Sequence, residues 1–153
     1  MKRFSLILAL AACGEAPKVK YLGRETETAV PEKLTLTELV HREARIFGLK
    51  PEFLHEMLTI ESTLRTNAVS EKGAEGIAQL MPETSRKLQV DPYDTEQAVM
   101  GAAYWLNVGR RELARNGFPT SRRWLAKWYN CGLPNLLKNK SCGDAHASKF
   151  TTL

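Results

Sequence analysis

The chain has 153 residues, 43% of them hydrophobic and 25% charged, which suits one globular domain with short appendages and is too little for two. Its formal net charge of +5 favours an anionic cell-wall or membrane surface and equally describes a mildly basic soluble protein. The basic residues are scattered and no nucleic-acid reading motif accompanies them, which argues against a nucleic-acid partner.

Lys2 and Arg3, the apolar run Phe4 to Ala12 and the small residues before Cys13 read as an export signal over residues 1–12, too short to span a bilayer. Leu10-Ala11-Ala12-Cys13 also resembles a bacterial lipoprotein box, in which cleavage precedes the cysteine and that cysteine takes lipid. A plain cleaved signal and a retained apolar N-terminus are the alternatives. Residues 13–33 mix charge, Thr and two prolines without sustained apolar periodicity, as a tether would, and a local strand pairing stays open there. The domain proper is expected over residues 34–153.

Thr35-Leu36-Thr37-Glu38 offers a capping box, and Leu36, Leu39, Val40, Ala44 and Phe47 follow at helical spacing until Gly48. Pro51 fits the first turn of a second helix, whose Phe53, Leu54, Met57 and Leu58 form one stripe. Arg65 to Gly76 has no stripe and reads as a loop or a short hairpin. Pro82 opens a short helix through Leu88. After the turn Asp91-Pro92-Tyr93-Asp94, Thr95 can cap a long helix with Val99, Ala102, Ala103, Leu106 and Leu113 inward, stopped by Gly117. A final helix from Thr120 or Ser121 carries Trp124, Leu125, Trp128 and Tyr129 on one face and ends at Asn130 and Gly132. The fold class is therefore mainly α, in a single domain without internal repeats.

Glu61 lies four residues beyond Met57 and eight beyond Phe53, so an acid continues the apolar stripe where a hydrophobic residue is expected. Burial disfavours the charged form of a carboxyl group, which is what a proton donor near neutral pH requires. Three cysteines leave an odd one. With Cys13 lipidated, Cys131 and Cys142 remain to pair by a disulfide or to stand as two free thiols. His41, His55 and His146 are dispersed, show no metal-ligand spacing with the cysteines, and read as ordinary surface or packing residues.

Glu61-Ser62-Thr63-Leu64, Asn67-Ala68-Val69-Ser70, Gly73-Ala74-Glu75-Gly76-Ile77-Ala78-Gln79-Leu80-Met81-Pro82 and Tyr129-Asn130 stand in the order found in enzymes that cut peptidoglycan glycan strands. From about Leu36 to Leu133 the chain resembles the lytic transglycosylases, relatives of goose-type lysozyme. The resemblance implies a lysozyme-like domain that needs no cofactor and cleaves the β-1,4 bond between N-acetylmuramic acid and N-acetylglucosamine, leaving 1,6-anhydromuramoyl ends. It implies Glu61 as acid and then base, Ser62 as support for the acid and the substrate acetamido group, Tyr129 as the residue that orients the acid, and Asn130 as a cleft residue. Gly76-Ile77-Ala78-Gln79 corresponds to the family's glycine-leucine-methionine-glutamine loop. There Gly76 would admit a saccharide close to the backbone, and Gln79 would offer it both donor and acceptor. Trp128 and Cys131 depart from the small residue and the alanine usual at their positions.

A hydrolytic muramidase on the same fold is the nearest rival, with Glu71, Glu75 and Glu83 as the acids available to it. A non-catalytic glycan-binding or assembly protein is the rival from another class, and loss of the acid would be its sign. The implied partner is the peptidoglycan strand, in an envelope setting reached by export and held by lipid on Cys13. Wall turnover, secretion, conjugation and phage machinery all fit that setting.

Overall fold

The computed structural model describes residues 33–150. The export signal, Cys13 and the tether as far as residue 32 lie outside the described residues. Six helices follow in order: α1 (Leu36–Ile46), α2 (Pro51–Ser62), α3 (Pro82–Leu88), α4 (Thr95–Arg115), α5 (Arg122–Lys138) and α6 (Asp144–Ala147). No helix among the described residues is long and apolar enough to cross a membrane.

The start of α1 is fixed reciprocally: Glu38 N donates to Thr35 Oγ1 at 3.3 Å and Thr35 N donates to Glu38 Oε2 at 2.9 Å. Its far end receives Arg110 from α4, whose guanidinium donates to the Gly48 and Phe47 carbonyls at 2.9 and 3.2 Å and satisfies groups the helix itself leaves unpaired. Leu39, Val40 and Ala44 of α1 then pack with Phe53, Leu54, Met57 and Leu58 of α2, all buried. Burying one such large side chain contributes about 1.5–3 kcal/mol.

α4 is the central helix and packs on both α1 and α5. Ala98, Ala102, Ala103 and Leu106 on its inner side are fully buried. A Cβ at Gly109 would stand 2.3 Å from Cε3 of Trp128, so only a bare backbone lets the indole lie against α4. Trp128 stacks at a tilt on Trp105, centroids 4.9 Å apart, and its Nε1 donates to Glu112 Oε2 at 3.0 Å. The cap of α4 is Asp94 rather than Thr95: Asp94 Oδ1 accepts from Gln97 N at 2.8 Å, while Thr95 is already the first helical residue. Both residue types can cap. The extended backbone at Asp94 decides between them.

The expected end of the last helix at Gly132 is a break within α5, not its terminus. Gly132 leaves the helical conformation at φ 71°, ψ 160°, and a second helical stretch continues to Lys138. Pro134 sits in the first turn of that stretch, where its missing N–H costs no hydrogen bond. Beyond it the chain folds back on α5. Cys131 and Cys142 are joined by a disulfide, Cα atoms 6.2 Å apart, and Lys127 Nζ bonds both Asp144 Oδ1, at 3.0 Å, and the Lys140 carbonyl. Arg123 holds the same Asp144 at 3.0 Å. These ties fasten α6, which the sequence pattern had not indicated.

Closing an 11-residue separation with a disulfide stabilises a fold by about 3 kcal/mol. Cys142→Ser is therefore expected to lower the melting temperature by roughly 10 °C, measured by calorimetry without reductant. An unchanged transition would mean that the segment after α5 lies outside the cooperative unit.

Candidate active site

Glu61 is the penultimate residue of α2, and its side chain is only 14% exposed, in line with the buried Phe53, Met57 and Leu58. The helix cannot continue past it into the core. Thr63 and Leu64 both adopt left-handed backbone, φ 56° and 62°, which turns the chain sharply away. Two consecutive non-glycine residues in that region store strain, and Arg65 holds the turn by donating from N and Nε to the Ser62 carbonyl, at 3.2 and 3.0 Å. The acid therefore ends its helix at a fixed corner beside the loop at residues 76–79.

That loop is built around small antiparallel bridges, Val69 with Glu75 and Glu75 with Leu80, so residues 65–80 form an irregular hairpin. Ser62, buried, donates from Oγ to the Ile77 carbonyl at 2.8 Å and ties the end of α2 to the loop. Tyr129 reaches the same loop from α5, its hydroxyl donating to the Ala78 carbonyl at 2.8 Å. Its one proton is thus spent on the loop, so toward Glu61 the phenol can act only as an acceptor. The residue as a whole is only partly buried, but its hydroxyl end lies deep. Burial first, and the Glu61 charge second, push Tyr129 well above the ordinary tyrosine range, so it stays a neutral phenol.

Two loop residues are used differently from the sequence expectation. Gly76, φ 71°, is closely approached by protein and not by open cleft: a Cβ there would lie 1.7 Å from the Pro92 carbonyl oxygen. Gln79, itself left-handed at φ 49°, donates from Nε2 to the Ala68 and Gly76 carbonyls, at 3.2 and 3.0 Å. Its donors close the loop. Only its carbonyl oxygen is left as a free group for a ligand. Asn130 follows Tyr129 on α5 and is exposed.

The structure also brings a histidine to the Glu61 carboxyl, against the expectation of an ordinary surface or packing residue. His146 of α6 brings Nε2 to 3.2 Å from Glu61 Oε1. A separation of 85 positions and a four-residue helix gave no periodic signal that could have shown it. Among the other acids, Glu71 and Glu83 are exposed. Glu75 lies beside Tyr93, and desolvation first, with the Glu75 charge second, holds that phenol above its usual range. A surface groove of about 250 Å³ lined by Thr37, Val40, His41, Pro51, Glu52 and His55 lies at the other end of α2 and belongs to no part of this arrangement.

The structure thus brings together a mostly buried carboxyl group at the end of a helix, a hydrogen-bonded loop and a neutral phenol. The comparisons agree with the class of protein this describes. Residues 38–149 match the Transglycosylase SLT domain, and the chain belongs to that family. Seven chains of solved structures match. One is the X-ray structure of an inactive glutamate-to-glutamine mutant of the lytic transglycosylase Slt from Pseudomonas aeruginosa, with a TM-score of 0.55 and 24% identity, covering 66% of this chain and 17% of that one. At that identity the likeness shows the fold, which is lysozyme-like. No curated protein matches.

Proposed function

We propose that the protein is a peptidoglycan lytic transglycosylase that cleaves the β-1,4 bond between N-acetylmuramic acid and N-acetylglucosamine. The observation that carries this reading is Glu61, on the inner stripe of α2 and 14% exposed, at the corner where Ser62 and Tyr129 both grip the 76–79 loop. Membership of the SLT family supports it at the level of the class.

In this reading Glu61 gives its proton to the glycosidic oxygen as the C1–O bond breaks and the bonding pair leaves with that oxygen. The substrate's acetamido oxygen closes on C1 and relieves the developing cation. Glu61, now a carboxylate, takes the proton of the C6 hydroxyl as that oxygen replaces the acetamido group at C1. Exposed Asn130 and the carbonyl of part-buried Gln79 are the polar groups proposed to hold sugar, while Ser62 and Gly76 serve by holding the loop. Leu10-Ala11-Ala12-Cys13 supports export to the envelope and attachment through lipid on Cys13.

The alternative muramidase would need a second carboxylate to activate water or form a covalent bond. The resemblance to the transglycosylases, carried by Glu61, the 76–79 loop and Tyr129-Asn130, favours the reading without a second carboxylate. Mass spectrometry of products from purified peptidoglycan is expected to show muramoyl ends about 18 Da, one water, below the reducing form. Reducing ends alone would replace this reading with hydrolysis, and would make Glu71, Glu75 and Glu83 the residues to substitute.

A further inference from the structure

We propose that the Cys131–Cys142 disulfide is a redox latch on the active site. Closed, it seats α6 against the Glu61 corner and steadies the end of α5 that carries Tyr129 and Asn130; opened by reduction, it releases both, and glycan cleavage falls. The consequence for cleavage rests on the transglycosylase reading, whereas the latch itself follows from connectivity and packing.

The bridge stands between the site and the segment that covers it. Cys131 directly follows Tyr129 and Asn130, and Gly132 breaks α5 at the next residue, so the sulfur belongs to the last turn that still carries site residues. Cys142 lies just ahead of α6. Gly143, between them, is left-handed at φ 76°, and a Cβ there would stand 2.9 Å from Lys127 Cα and 3.3 Å from Cys131 Sγ, so the start of α6 is pressed onto α5. From that footing α6 reaches across to α2. His146 Nε2 comes to 3.2 Å from Glu61 Oε1, both side chains mostly buried, in a packing contact without an aligned hydrogen bond. Phe150 lies 5.7 Å from the His146 ring and 5.7 Å from the Phe53 ring of α2.

The other ties on α6 are weaker. A helix of four residues does not persist in water by itself. Asp144 joins it to Arg123, but those side chains are 41% and 59% exposed, and a pair so open to water contributes little. Buried Lys127 adds its contacts with Asp144 and the Lys140 carbonyl. With the bridge open, these and the ring contacts alone must offset the entropy of ordering the segment.

Opening takes two electrons and two protons from a dithiol, which leaves as a disulfide while Cys131 and Cys142 become thiols; closing passes them back to a disulfide oxidant. Disulfides persist in oxidising compartments and are rare where thiols are kept reduced. Cleavage is thereby tied to the oxidising side of the envelope, the setting proposed for this chain. The effect on rate follows from positioning. Tyr129 grips the Ala78 carbonyl of the loop beside Glu61, and a shift of about 1 Å in such an arrangement lowers a rate by up to about a hundredfold.

The test uses the full chain carrying Cys13→Ser, which leaves Cys131 and Cys142 as its two cysteines. Peptidoglycan cleavage is measured with the bridge closed, after reduction by dithiothreitol and after reoxidation by glutathione disulfide, while nuclear Overhauser effects follow the Phe53–Phe150 ring contact. Reduction is expected to lower the rate about tenfold or more, reversibly, and to erase that contact while circular dichroism shows the longer helices intact. Cys131→Ala combined with Cys142→Ala should hold the low rate with or without dithiothreitol, and a rate in that variant that still responds to the reductant would count against the latch. An unchanged rate in the reduced, folded chain, or a ring contact that survives reduction, would overturn it. So would loss of the whole fold on reduction, which would make the bridge a staple of the domain. A chain that cleaves no glycan when oxidised yet loses the ring contact on reduction would instead uphold the latch and remove the transglycosylase reading.

Discussion

Glu61→Gln is expected to reduce peptidoglycan cleavage by about a thousandfold or more while leaving the fold in place, because the amide keeps the side chain's size and removes the transferable proton. Among the described residues, the neighbouring groups are poor substitutes. Tyr129 has committed its proton to the Ala78 carbonyl and stays a neutral phenol, and Glu71 and Glu83 are exposed. Stability should change little, since the carboxyl makes no aligned hydrogen bond with His146 and its loss leaves the Phe53, Met57 and Leu58 packing untouched. Soluble muropeptide release, alongside circular dichroism, decides the matter. Activity near the wild-type level in a folded variant would remove Glu61 from the mechanism.

Glu61 was visible in the sequence because a helix repeats its inner face every three to four residues, and an acid at the fourth position after Met57 has no place on the solvent side. The same periodicity, with Thr35 and Pro51 as starts, outlined α1 and α2, and Pro82 opened α3. Periodicity says nothing about polar side chains that bend back to their own backbone. Ser62 and Gln79 were expected to face a substrate, yet left-handed turns at Thr63, Leu64 and Gln79 bring carbonyls within their reach, and buried donors take the nearest acceptor.

His146 was hidden for a different reason. It reaches Glu61 only because α5 breaks at Gly132, the chain reverses, and a disulfide returns it to α5, three events that no local pattern links to α2. The pair of cysteines was the one available sign that residues after 131 fold back on the domain. Which side chain they would deliver, and where, depends on tertiary packing. Gly76 lies between these cases: a glycine between Glu75 and Ile77 announces an unusual backbone, but not the neighbour that demands it.

That neighbour makes Gly76→Ala the second large effect. A methyl group there would sit 1.7 Å from the Pro92 carbonyl oxygen and 2.7 Å from its carbonyl carbon, both backbone atoms with no rotamer to escape into. Pro92 cannot easily yield, because its turn is held by Asp91 N donating to Gln97 Oε1 at 3.0 Å and Tyr93 N donating to Asp91 Oδ1 at 2.9 Å. Overpacking against backbone adds to the left-handed penalty, for a total of about 4 kcal/mol or more and a melting temperature lower by roughly 15 °C. Gly73→Ala separates the two causes. Gly73 is also left-handed, φ 80°, but a Cβ there meets nothing within 4 Å, so only the conformational cost of about 1–2 kcal/mol remains. Cleavage should fall in Gly76→Ala beyond what lost stability explains, since Ile77 and Ala78, the acceptors of Ser62 and Tyr129, must shift with the loop. Calorimetry of both variants checks the argument, and equal losses in the two would show that the Pro92 contact relaxes and that backbone conformation alone requires the glycine.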